Sequence, residues 1–373
     1  MKIGIITLPP YANYGGILQA YALCHVLRDM GHEPEVIYIT KRWYVPWWRK
    51  PMLYAKRAVK KFVLHRQEWV FFEKKAKREW PVITAKTFAF VEKRVPHRIF
   101  DEYSSISEKD YDAYVVGSDQ VWRPIYYFWS DVADAFLRFA KDWNVKRIAY
   151  AASFGVDNWE YTPEQTKTCA RLAKLFDAIS VRETSAIDLC HEYFGIEAKH
   201  VVDPTLLLER EDYMRLIDDD ATPHKGEILN YILDWNDNKR LMLNLLEKTT
   251  GKKSFRVNSR FEEWGAPIEE RIQPSVESWL QGFRDADLVV TDSFHATVFS
   301  IIFNKPFFVI GNKERGITRF KSLLSMFGLE DRLVCSAEAV DVSASIDWNN
   351  VNKLKQQLKA TAMAFLSSNL ART

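Results

Sequence analysis

Short apolar runs alternate with segments of helical periodicity along most of the chain, and this alternation restricts the possible folds more than any other feature. In the N-terminal half, candidate strands lie at 3–8, 35–39, 112–117, 146–153, 177–182 and 199–203. Helices are predicted after several of them, at 17–30, 162–176 and 184–194. Strands that are apolar throughout and lead into helices are typical of a parallel sheet with helices on both faces. We therefore predict an α/β fold with a doubly wound sheet.

The same alternation starts again after a polar stretch at 218–227. Strands are predicted at 226–233, 253–258, 287–292 and 306–311, and helices at 236–250, 275–286, 295–303 and 317–328. We place a domain boundary near residue 220, which gives Rossmann-like domains over 1–220 and 221–345. A last helix within 346–373 is expected to pack back toward the first domain. In two such domains facing a cleft, ligands bind beyond the carboxyl ends of the strands.

Composition excludes several classes of protein. With 47% hydrophobic and 27% charged residues among 373, the chain is a typical globular protein. Its net charge of +3 is too small for a general nucleic-acid binder. The four cysteines stand alone in the sequence, so neither a zinc site nor a disulfide framework is predicted, and a reduced cytoplasmic protein is the simplest expectation.

Residues 41–80 differ from the rest of the chain. They hold 13 Lys and Arg against three Glu, and ten aromatic residues, five of which are Trp. Basic residues interleaved with Trp are attracted to an anionic membrane surface or to a lipid-linked anionic substrate. The plainer interpretation, which we favour, is a pair of solvated helices whose aromatic side chains pack on the core. Nucleic acid is not expected as a partner, because the remainder of the chain is acidic.

Two glycines stand in the first loop between a predicted strand and helix, in the segment Asn13-Tyr14-Gly15-Gly16. Glycines let a backbone approach a ligand closely, and the following helix offers free N–H groups at its first turn. The segment is therefore a candidate site for an anion or a sugar. It lacks the spacing of a dinucleotide fingerprint, and a tight structural turn explains the same residues about as well.

Three later strand ends carry polar residues. Ser118, Asp119 and Gln120 follow the predicted strand at 112–117, and Trp122 comes shortly after. Asp119 is suited to accept a proton from a sugar hydroxyl and Trp122 to stack on a sugar ring. The alternative is that Ser118 or Asp119 only caps the next element.

Charged residues stand at the next two strand ends. Arg182 lies where an arginine can bind a carboxylate or phosphate through two hydrogen bonds. Asp203 precedes Pro204, and we interpret that pair as a turn.

The most informative segment is TDSFH, in which a strand ends and His295 falls at the start of an apolar helix. The helix dipole disfavours the imidazolium form there, whereas a bound anion favours it, so His295 is a candidate proton donor or acceptor near neutral pH. Ser293 and Thr297 offer hydroxyls for an anion at the same helix end. Arg315 and Arg319 follow the next strand and are placed to reach the same cleft, unless they are ordinary surface arginines.

Taken in order, these segments resemble the polysaccharide pyruvyl transferase family. The matching segments are IGIITL, NYGGILQAYAL, GHEPEVI, YDAYVVGSDQVW, KRIAYAASFG, FDAISVRE, VVDPTLLL, ADLVVTDSFHATVFSIIFNKPF and RGITRFKSLL. They run from residue 3 to about residue 325, so the resemblance covers nearly the whole chain. The segment 41–80 is the least recognisable part.

The resemblance implies a GT-B-like pair of Rossmann domains and an enzyme of a particular kind. That enzyme moves pyruvate from phosphoenolpyruvate onto two hydroxyls of a sugar as a cyclic ketal and releases phosphate. Phosphoenolpyruvate is a co-substrate, and no cofactor or metal is expected. The acceptor is expected to be a sugar of a capsule, an exopolysaccharide or another surface glycan, carried on a lipid. The expected location is the cytoplasm, at the inner face of the membrane if 41–80 contacts it.

The resemblance also assigns roles to individual residues. His295 matches the cleft histidine of the family and is the candidate general acid, and Arg182 matches an arginine implicated in donor binding. Many members have arginine where this chain has Ser293 and glycine where it has Ala296. The donor side is assigned Arg182, Ser293, Thr297, Arg315 and Arg319, with Arg315 or Arg319 as substitute for the missing arginine. The acceptor side is assigned Asn13, Tyr14, Gly15, Gly16, Ser118, Gln120 and Trp122, with Asp119 as a second catalytic residue.

Two other functions fit the same sequence. A GT-B glycosyltransferase would use the cleft, His295 and the helix N-termini for a nucleotide sugar, but no residue pattern over 220–340 identifies a pocket for base and ribose. A non-catalytic protein of polysaccharide assembly would keep the fold with an inactive site. The loss of arginine at position 293 favours this last alternative, whereas the presence of His295 and Arg182 opposes it.

Overall fold

A computed structural model describes residues 1–9, 11–40, 48, 50–65, 69–127, 130–218, 223–224, 226–311, 317–336 and 339–371. Arg315, Trp43, Trp47 and the boundary predicted near residue 220 lie outside the described residues. None of the described helices is long and apolar enough to cross a membrane.

Seven strands form the first sheet. They are β1 (Lys2–Ile6), β2 (Glu33–Ile39), β3 (His97–Phe100), β4 (Ala113–Val116), β5 (Lys146–Ala152), β6 (Ala178–Val181) and β7 (Lys199–His200). All neighbours are parallel, in the order β3-β2-β1-β4-β5-β6-β7. The strand order reverses between β1 and β4, which is where open sheets of this kind bind ligands.

Five strands form the second sheet. They are β8 (Ile228–Tyr231), β9 (Ser254–Phe255), β10 (Leu288–Thr291), β11 (Phe307–Ile310) and β12 (Leu333–Val334). All neighbours are again parallel, in the order β12-β11-β10-β8-β9, so the reversal lies between β8 and β10. Two doubly wound sheets confirm the predicted fold class.

The prediction did not find β3 or β12. Strand β3 lies at the edge of its sheet and exposes two of its four residues, so it lacks the continuous apolar run of a central strand. Strand β12 has only two residues, which is too short for any period to be visible.

Helices cover both sheets. In the first domain they are α1 (Tyr14–Asp29), α2 (Lys50–Phe62), α3 (Phe72–Ile83), α4 (Ala85–Arg94), α5 (Pro163–Ala173), α6 (Thr184–Leu189) and α7 (Arg210–Met214). The others are α8 (Asp237–Thr250), α9 (Ile268–Arg271), α10 (Val276–Asp285), α11 (Phe294–Ile302), α12 (Ile317–Phe327) and α13 (Trp348–Asn369). Helix α1 is buried over most of its surface, because it packs against β2, α4 and the 3₁₀ turn Pro204–Leu207, and its first turn meets α10 and α11.

Side chains from both sheets belong to one continuous hydrophobic core. Its central contact is between Tyr14 at the start of α1 and Trp279 of α10, whose rings are stacked with centroids 5.4 Å apart. The Tyr14 hydroxyl also donates a hydrogen bond of 2.9 Å to the carbonyl of Pro274. Gln273 extends this contact, because its side-chain amide donates to the carbonyl of Ala12 at 3.0 Å. The first loop of one sheet is therefore fixed to the segment before α10.

Helix α13 packs back on the first domain. Its Phe365 ring lies 6.3 Å from the ring of Tyr150 on β5, measured between centroids. Two lysines of the same helix pair with Glu209, at 3.2 Å from Lys355 and 2.6 Å from Lys359. Glu209 directly precedes α7, so these ion pairs join the C-terminal helix to the chain that follows the first sheet.

We expect Glu209→Gln to lower the free energy of unfolding at neutral pH by about 1 kcal/mol, a value reduced for the partial exposure of the carboxylate. Burial raises the pKa of Glu209, but hydrogen bonds from Lys359 and Gln356 and the charge of Lys355 outweigh it and bring the pKa to about 2. A lowered pKa stabilises the fold above the unfolded-state pKa of about 4.3, and this contribution is lost as the pH falls toward the folded value.

Urea unfolding at neutral pH and near pH ~3 tests this expectation. The difference between wild type and Glu209→Gln should shrink at the lower pH. Glu211→Gln on the exposed face of α7 is the matched control and should leave the free energy of unfolding unchanged at both pH values. If Glu209→Gln lowered the free energy of unfolding equally at both pH values, charge pairing would not be what anchors α13.

Candidate active site between the two sheets

A buried carboxylate, Asp203, lies at the centre of the polar residues that the sequence singled out. It is 1% exposed. Its Oδ1 accepts hydrogen bonds from the backbone N–H and the hydroxyl of Thr205, at 3.1 and 2.8 Å, and so caps the 3₁₀ turn Pro204–Leu207. Its Oδ2 accepts hydrogen bonds from Arg182 at 2.8 Å and from the Ser118 hydroxyl at 3.1 Å. The predicted turn is present. The prediction missed the contacts of Oδ2, which bring the ends of three strands together.

His295 approaches the same oxygen from the second sheet. It lies in the first turn of α11, which Ser293 caps, and its Nε2 is 3.6 Å from Oδ2 of Asp203. That distance is longer than a hydrogen bond, and Nε2 has no other hydrogen-bond partner among the described residues. The His295 side chain is 8% exposed. An imidazole and a carboxylate from different domains therefore face each other in a site largely shielded from solvent.

The electrostatic balance at Asp203 favours the ionised form. Burial alone would raise the pKa of its carboxyl group. The contacts with His295 and Arg182 outweigh burial and hold the pKa of Asp203 well below its usual range. The carboxylate is therefore charged at neutral pH and available to stabilise a protonated His295.

Arg182 is held by carboxylates of the protein. Its guanidinium lies 2.8 Å from Asp203, 3.5 Å from Asp119 and 3.8 Å from Glu183, and it sits over the Phe294 ring at 4.3 Å. Burial acts to lower the pKa of Arg182, but the three carboxylates reverse this and the net shift is upward. The predicted bidentate contact with an anionic donor is thus not what the structure shows, because the guanidinium is buried and directed at Asp203.

Arg319 belongs to the same charged cluster but comes from the second domain. It lies in the first turns of α12, is 9% exposed, and is electrostatically coupled to Arg182 and Glu183. Burial first and the charge of Arg182 second lower the pKa of Arg319 to about 10. Helix α12 is docked there by a hydrogen bond of 3.1 Å from the backbone N–H of Thr184 to the Ser322 hydroxyl.

Glu183 is a member of this cluster that the sequence analysis did not single out. It is 2% exposed, and the hydroxyl of Ser153 donates a hydrogen bond to its Oε1. Burial raises the pKa of Glu183 more than the neighbouring arginines lower it. Its position beside Arg182 at the end of β6 was the available signal, since both follow the same strand.

Among the residues predicted to bind the acceptor, two aromatic rings are core residues. Trp122 is fully buried and stacked on Phe136 at 4.7 Å between centroids, and its indole N–H donates to the Ala135 carbonyl. Tyr14 is fully buried against Trp279. Neither ring has an exposed face for a sugar, so the predicted ligand contacts of Trp122 and Tyr14 need correction. Both rings instead stabilise the packing behind the site.

Two predicted hydroxyls are also used within the protein. Ser118 is fully buried, and its hydroxyl lies within hydrogen-bond distance of Asp203 and of the Ala151 carbonyl. Thr297 is fully buried, and its hydroxyl donates to the carbonyl of Ser293 at 3.0 Å. The predicted ligand contacts of Ser118 and Thr297 are therefore replaced by structural ones, because each hydrogen has a protein acceptor.

Other predicted residues remain near the surface. Asn13 is exposed and caps α1, its side-chain oxygen accepting from the N–H of Gly15 at 3.1 Å. Gln120 is half-buried, and its side-chain oxygen accepts from Arg123 at 3.3 Å. Ser293 is also half-buried, and its hydroxyl accepts from the N–H of Ala296 at 3.5 Å. These three side chains keep surface that a ligand can reach.

Gly15 lies directly against the His295 ring. A β-carbon at Gly15 would overlap the imidazole at Nδ1 and Cγ, whereas a β-carbon at Gly16 would meet its nearest neighbour, Asn13, at 3.6 Å. The first of the two glycines is therefore required by close approach between the domains. The second has room for a side chain.

Three of the acidic residues surround one arginine, and a fourth has a different partner. Asp119, Asp203 and Glu183 surround Arg182, whereas Asp292, which directly follows β10, pairs with Lys239 of α8 at 2.6 Å. In the part of the chain that the structure describes, no group of three or more His, Cys, Asp or Glu is arranged to hold a metal ion.

The profile of the polysaccharide pyruvyl transferase family matches residues 13–314. The chain belongs to this family. The match includes the Gly15 loop, Asp203 and His295, so it covers both sides of the site in this pyruvyl transferase. The resemblance drawn from the sequence segments is confirmed, and the family makes the protein a transferase of polysaccharide biosynthesis.

A solved structure with the same fold supports this architecture, and two others are less similar. A glycosyltransferase from Rickettsia africae matches with a TM-score of 0.50 at 11% identity, over 100% of this chain and 99% of that chain. The UDP-GlcNAc 2-epimerase of Neisseria meningitidis matches with 0.47 at 10% identity, over 100% of both chains. The ADP-heptose heptosyltransferase II of E. coli matches with 0.39 at 10% identity, over 96% and 99%. The predicted GT-B-like pair of Rossmann domains is confirmed. No curated sequence matches the chain.

We expect Gly15→Ala to destabilise the pyruvyl transferase by about 1–3 kcal/mol, because the added methyl group must displace the His295 ring or the start of α1. Gly16→Ala is the matched control. Replacing glycine by alanine stabilises a helix by up to about 1 kcal/mol. At Gly16 no steric overlap opposes this gain in stability. Urea unfolding of the three proteins measures the difference. Equal stability of the two variants would contradict the close approach of Gly15 and His295.

Proposed function

We propose that this protein transfers pyruvate from phosphoenolpyruvate to two hydroxyls of a sugar in a surface glycan or its lipid-linked precursor. The product is a cyclic ketal, and phosphate is released. The observation that carries the proposal is the pairing of His295 with the buried carboxylate of Asp203 across the two sheets, beside the buried guanidinium groups of Arg182 and Arg319. Such a site combines a proton donor with a cation, as the reaction requires.

The reaction begins with a proton transfer to carbon. His295, in its protonated form, gives a proton to the methylene carbon of phosphoenolpyruvate, and the adjacent carbon becomes an oxocarbenium centre. The ionised carboxylate of Asp203, 3.6 Å from the ring, is the proposed counter-charge of the imidazolium. Arg182 and Ser118 fix the position of Asp203, so we give Arg182 a positioning role in place of a direct contact with the donor.

The remaining steps exchange oxygen atoms at one carbon. A first sugar hydroxyl attacks the oxocarbenium carbon and loses its proton, the bond to the phosphate oxygen then breaks, and a second hydroxyl closes the ring. Two hydroxyl protons are released in total. One balances the proton gained by the methylene carbon, and the other leaves with phosphate. Asp119, whose carboxylate lies 3.5 Å from the guanidinium of Arg182, is the proposed acceptor of a hydroxyl proton.

Arg319 is the proposed cation for the donor. Burial and the charge of Arg182 lower its pKa to about 10, while Glu183 and Asp119 act in the opposite direction. A guanidinium at the junction of the two domains can bind a carboxylate or phosphate through strong charge-assisted hydrogen bonds. In this proposal Arg319, on a different helix, binds the donor in place of the arginine that many members of the family have at position 293.

The acceptor side is proposed at the rim of the first domain. Asn13 and Gln120 keep partly exposed amide groups there, and amides can donate to and accept from sugar hydroxyls. A lipid carrier for the sugar and a cytoplasmic location are parts of the same proposal. They are supported by the family's role in polysaccharide biosynthesis.

We expect wild-type protein to bind phosphoenolpyruvate in a saturable way and Arg319→Gln to bind it about 10- to 100-fold more weakly, the usual effect of losing a charge-assisted hydrogen bond. Isothermal titration calorimetry measures both. Arg171→Gln, on the exposed face of α5, is the control and should bind like wild type. Arg182 is unsuited to this test, because its removal leaves Asp203 buried without its partner and endangers the fold.

Unchanged affinity in Arg319→Gln would remove Arg319 from the donor site. Saturable binding of a nucleotide sugar by the wild-type protein, with none of phosphoenolpyruvate, would instead indicate a glycosyltransferase.

We expect His295→Gln to lower the turnover number by about 10²- to 10⁴-fold, the usual contribution of a positioned general acid. Phosphate release from phosphoenolpyruvate, in the presence of glycosides with neighbouring free hydroxyls, gives the rate. In deuterated water the wild-type product should carry one deuterium in its methyl group, which mass spectrometry detects. A product without deuterium would contradict proton transfer to the methylene carbon. Arg171→Gln, on the exposed face of α5, is the control and should keep the wild-type rate.

A further inference from the structure

Helix α2 exposes its apolar face to solvent. Met52, Val59 and Phe62 are exposed by 73, 50 and 68%, and Val63, directly after the helix, is exposed by 65%. Their spacing places them on one side of a helix with a period of 3.6 residues. Surface helices of globular proteins usually turn such a face toward the core, and none of the residues of α2 is buried. Leu64, exposed by 55%, continues the same apolar surface beyond the helix.

The opposite side of α2 holds the helix on the protein. Its Arg57 pairs with Glu73 of α3 at 2.9 Å, and its Tyr54 ring meets the Phe71 ring edge-on with centroids 5.1 Å apart. Helix α3 is in turn fixed to the second domain, since Glu79 lies 2.6 Å from the buried guanidinium of Arg271. The exposed apolar face of α2 is therefore presented by an anchored element.

Charge identifies the surface that fits this face. Helix α2 carries five basic residues and no acidic one. On α3, the exposed side adds Lys74, Lys77 and Arg78. Trp69, between the two helices, lies under the ammonium group of Lys75 at 3.6 Å from the ring centroid. Nucleic acid would leave the apolar face exposed, and a second copy of this chain would bring like charges together. An anionic lipid surface matches both properties.

We propose that α2, with residues 63–64, docks on the surface of an anionic bilayer. The apolar row enters the boundary between headgroups and acyl chains, and the lysines at its edges meet lipid phosphates. This binding needs neither donor nor acceptor, so it stands independently of the proposed reaction. If that reaction uses a lipid-linked sugar, docking holds the enzyme at the surface where the substrate lies.

Vesicle co-sedimentation of the full-length protein without substrates tests the proposal. We expect the wild-type protein to sediment with vesicles of phosphatidylcholine and phosphatidylglycerol and to remain largely in solution with phosphatidylcholine alone. Added salt should weaken binding, because it screens the attraction between lysines and lipid phosphates.

Two sets of variants separate charge from apolar insertion. Replacing Lys56, Lys60 and Lys61 by glutamine should weaken binding about 100-fold, since each lysine near an anionic surface contributes about five-fold. Phe62→Ser should weaken it about ten-fold by removing apolar area. The matched controls lie on other faces: glutamine at Lys141, Lys167 and Lys353, and Leu241→Ser, whose leucine is exposed by 58%. Neither control should change binding.

Three outcomes would overturn the proposal. One is wild-type protein that stays in solution with both kinds of vesicle. Another is a triple glutamine variant that binds like wild type. The last is a dimer, seen by analytical ultracentrifugation without vesicles and lost in Phe62→Ser, which would show that a second copy covers the face.

Discussion

The structure around the candidate site depends on keeping one carboxylate, Asp203, charged and buried. Moving an ionised carboxylate out of water costs roughly several kcal/mol of free energy, unless hydrogen-bond donors and positive charges replace its hydration. Here the partners are the guanidinium of Arg182, the hydroxyl of Ser118 and the first turn after Pro204. They come from the ends of different strands, so the need to satisfy one charge fixes how those strand ends meet. His295 completes the arrangement from the other sheet.

The two domains must also approach each other closely at the candidate site. The imidazole of His295 fits only because Gly15 has no side chain, and the stack of Tyr14 on Trp279 holds the same loop against the second domain. Arg319 joins the cluster through α12, whose position depends on the contact of Ser322 with the first domain. Proton transfer and anion binding therefore depend on the same interface between the two sheets.

Much of the fold could be predicted because its signals are local. Apolar runs and helical periods located most strands and helices, and strand ends pointed to Ser118, Arg182 and His295. The edge strands β3 and β12 were missed, because β3 exposes two of its four residues and β12 has only two residues. Individual roles were harder. Tyr14 and Trp122 have the residue types of sugar-binding sites but lie in the core, and the turn-forming Asp203 proved to be the centre of the charged cluster.

By itself, the sequence determined the alternation of strands and helices, the family, and the set of polar residues at strand ends. These depend on the residue and its near neighbours. Only the tertiary structure decided that Asp203 faces His295, that carboxylates engage Arg182 with Arg319 close by, and that α2 turns its apolar face outward. Burial and pairing of charge are properties of groups far apart in the chain, and no local pattern contains them.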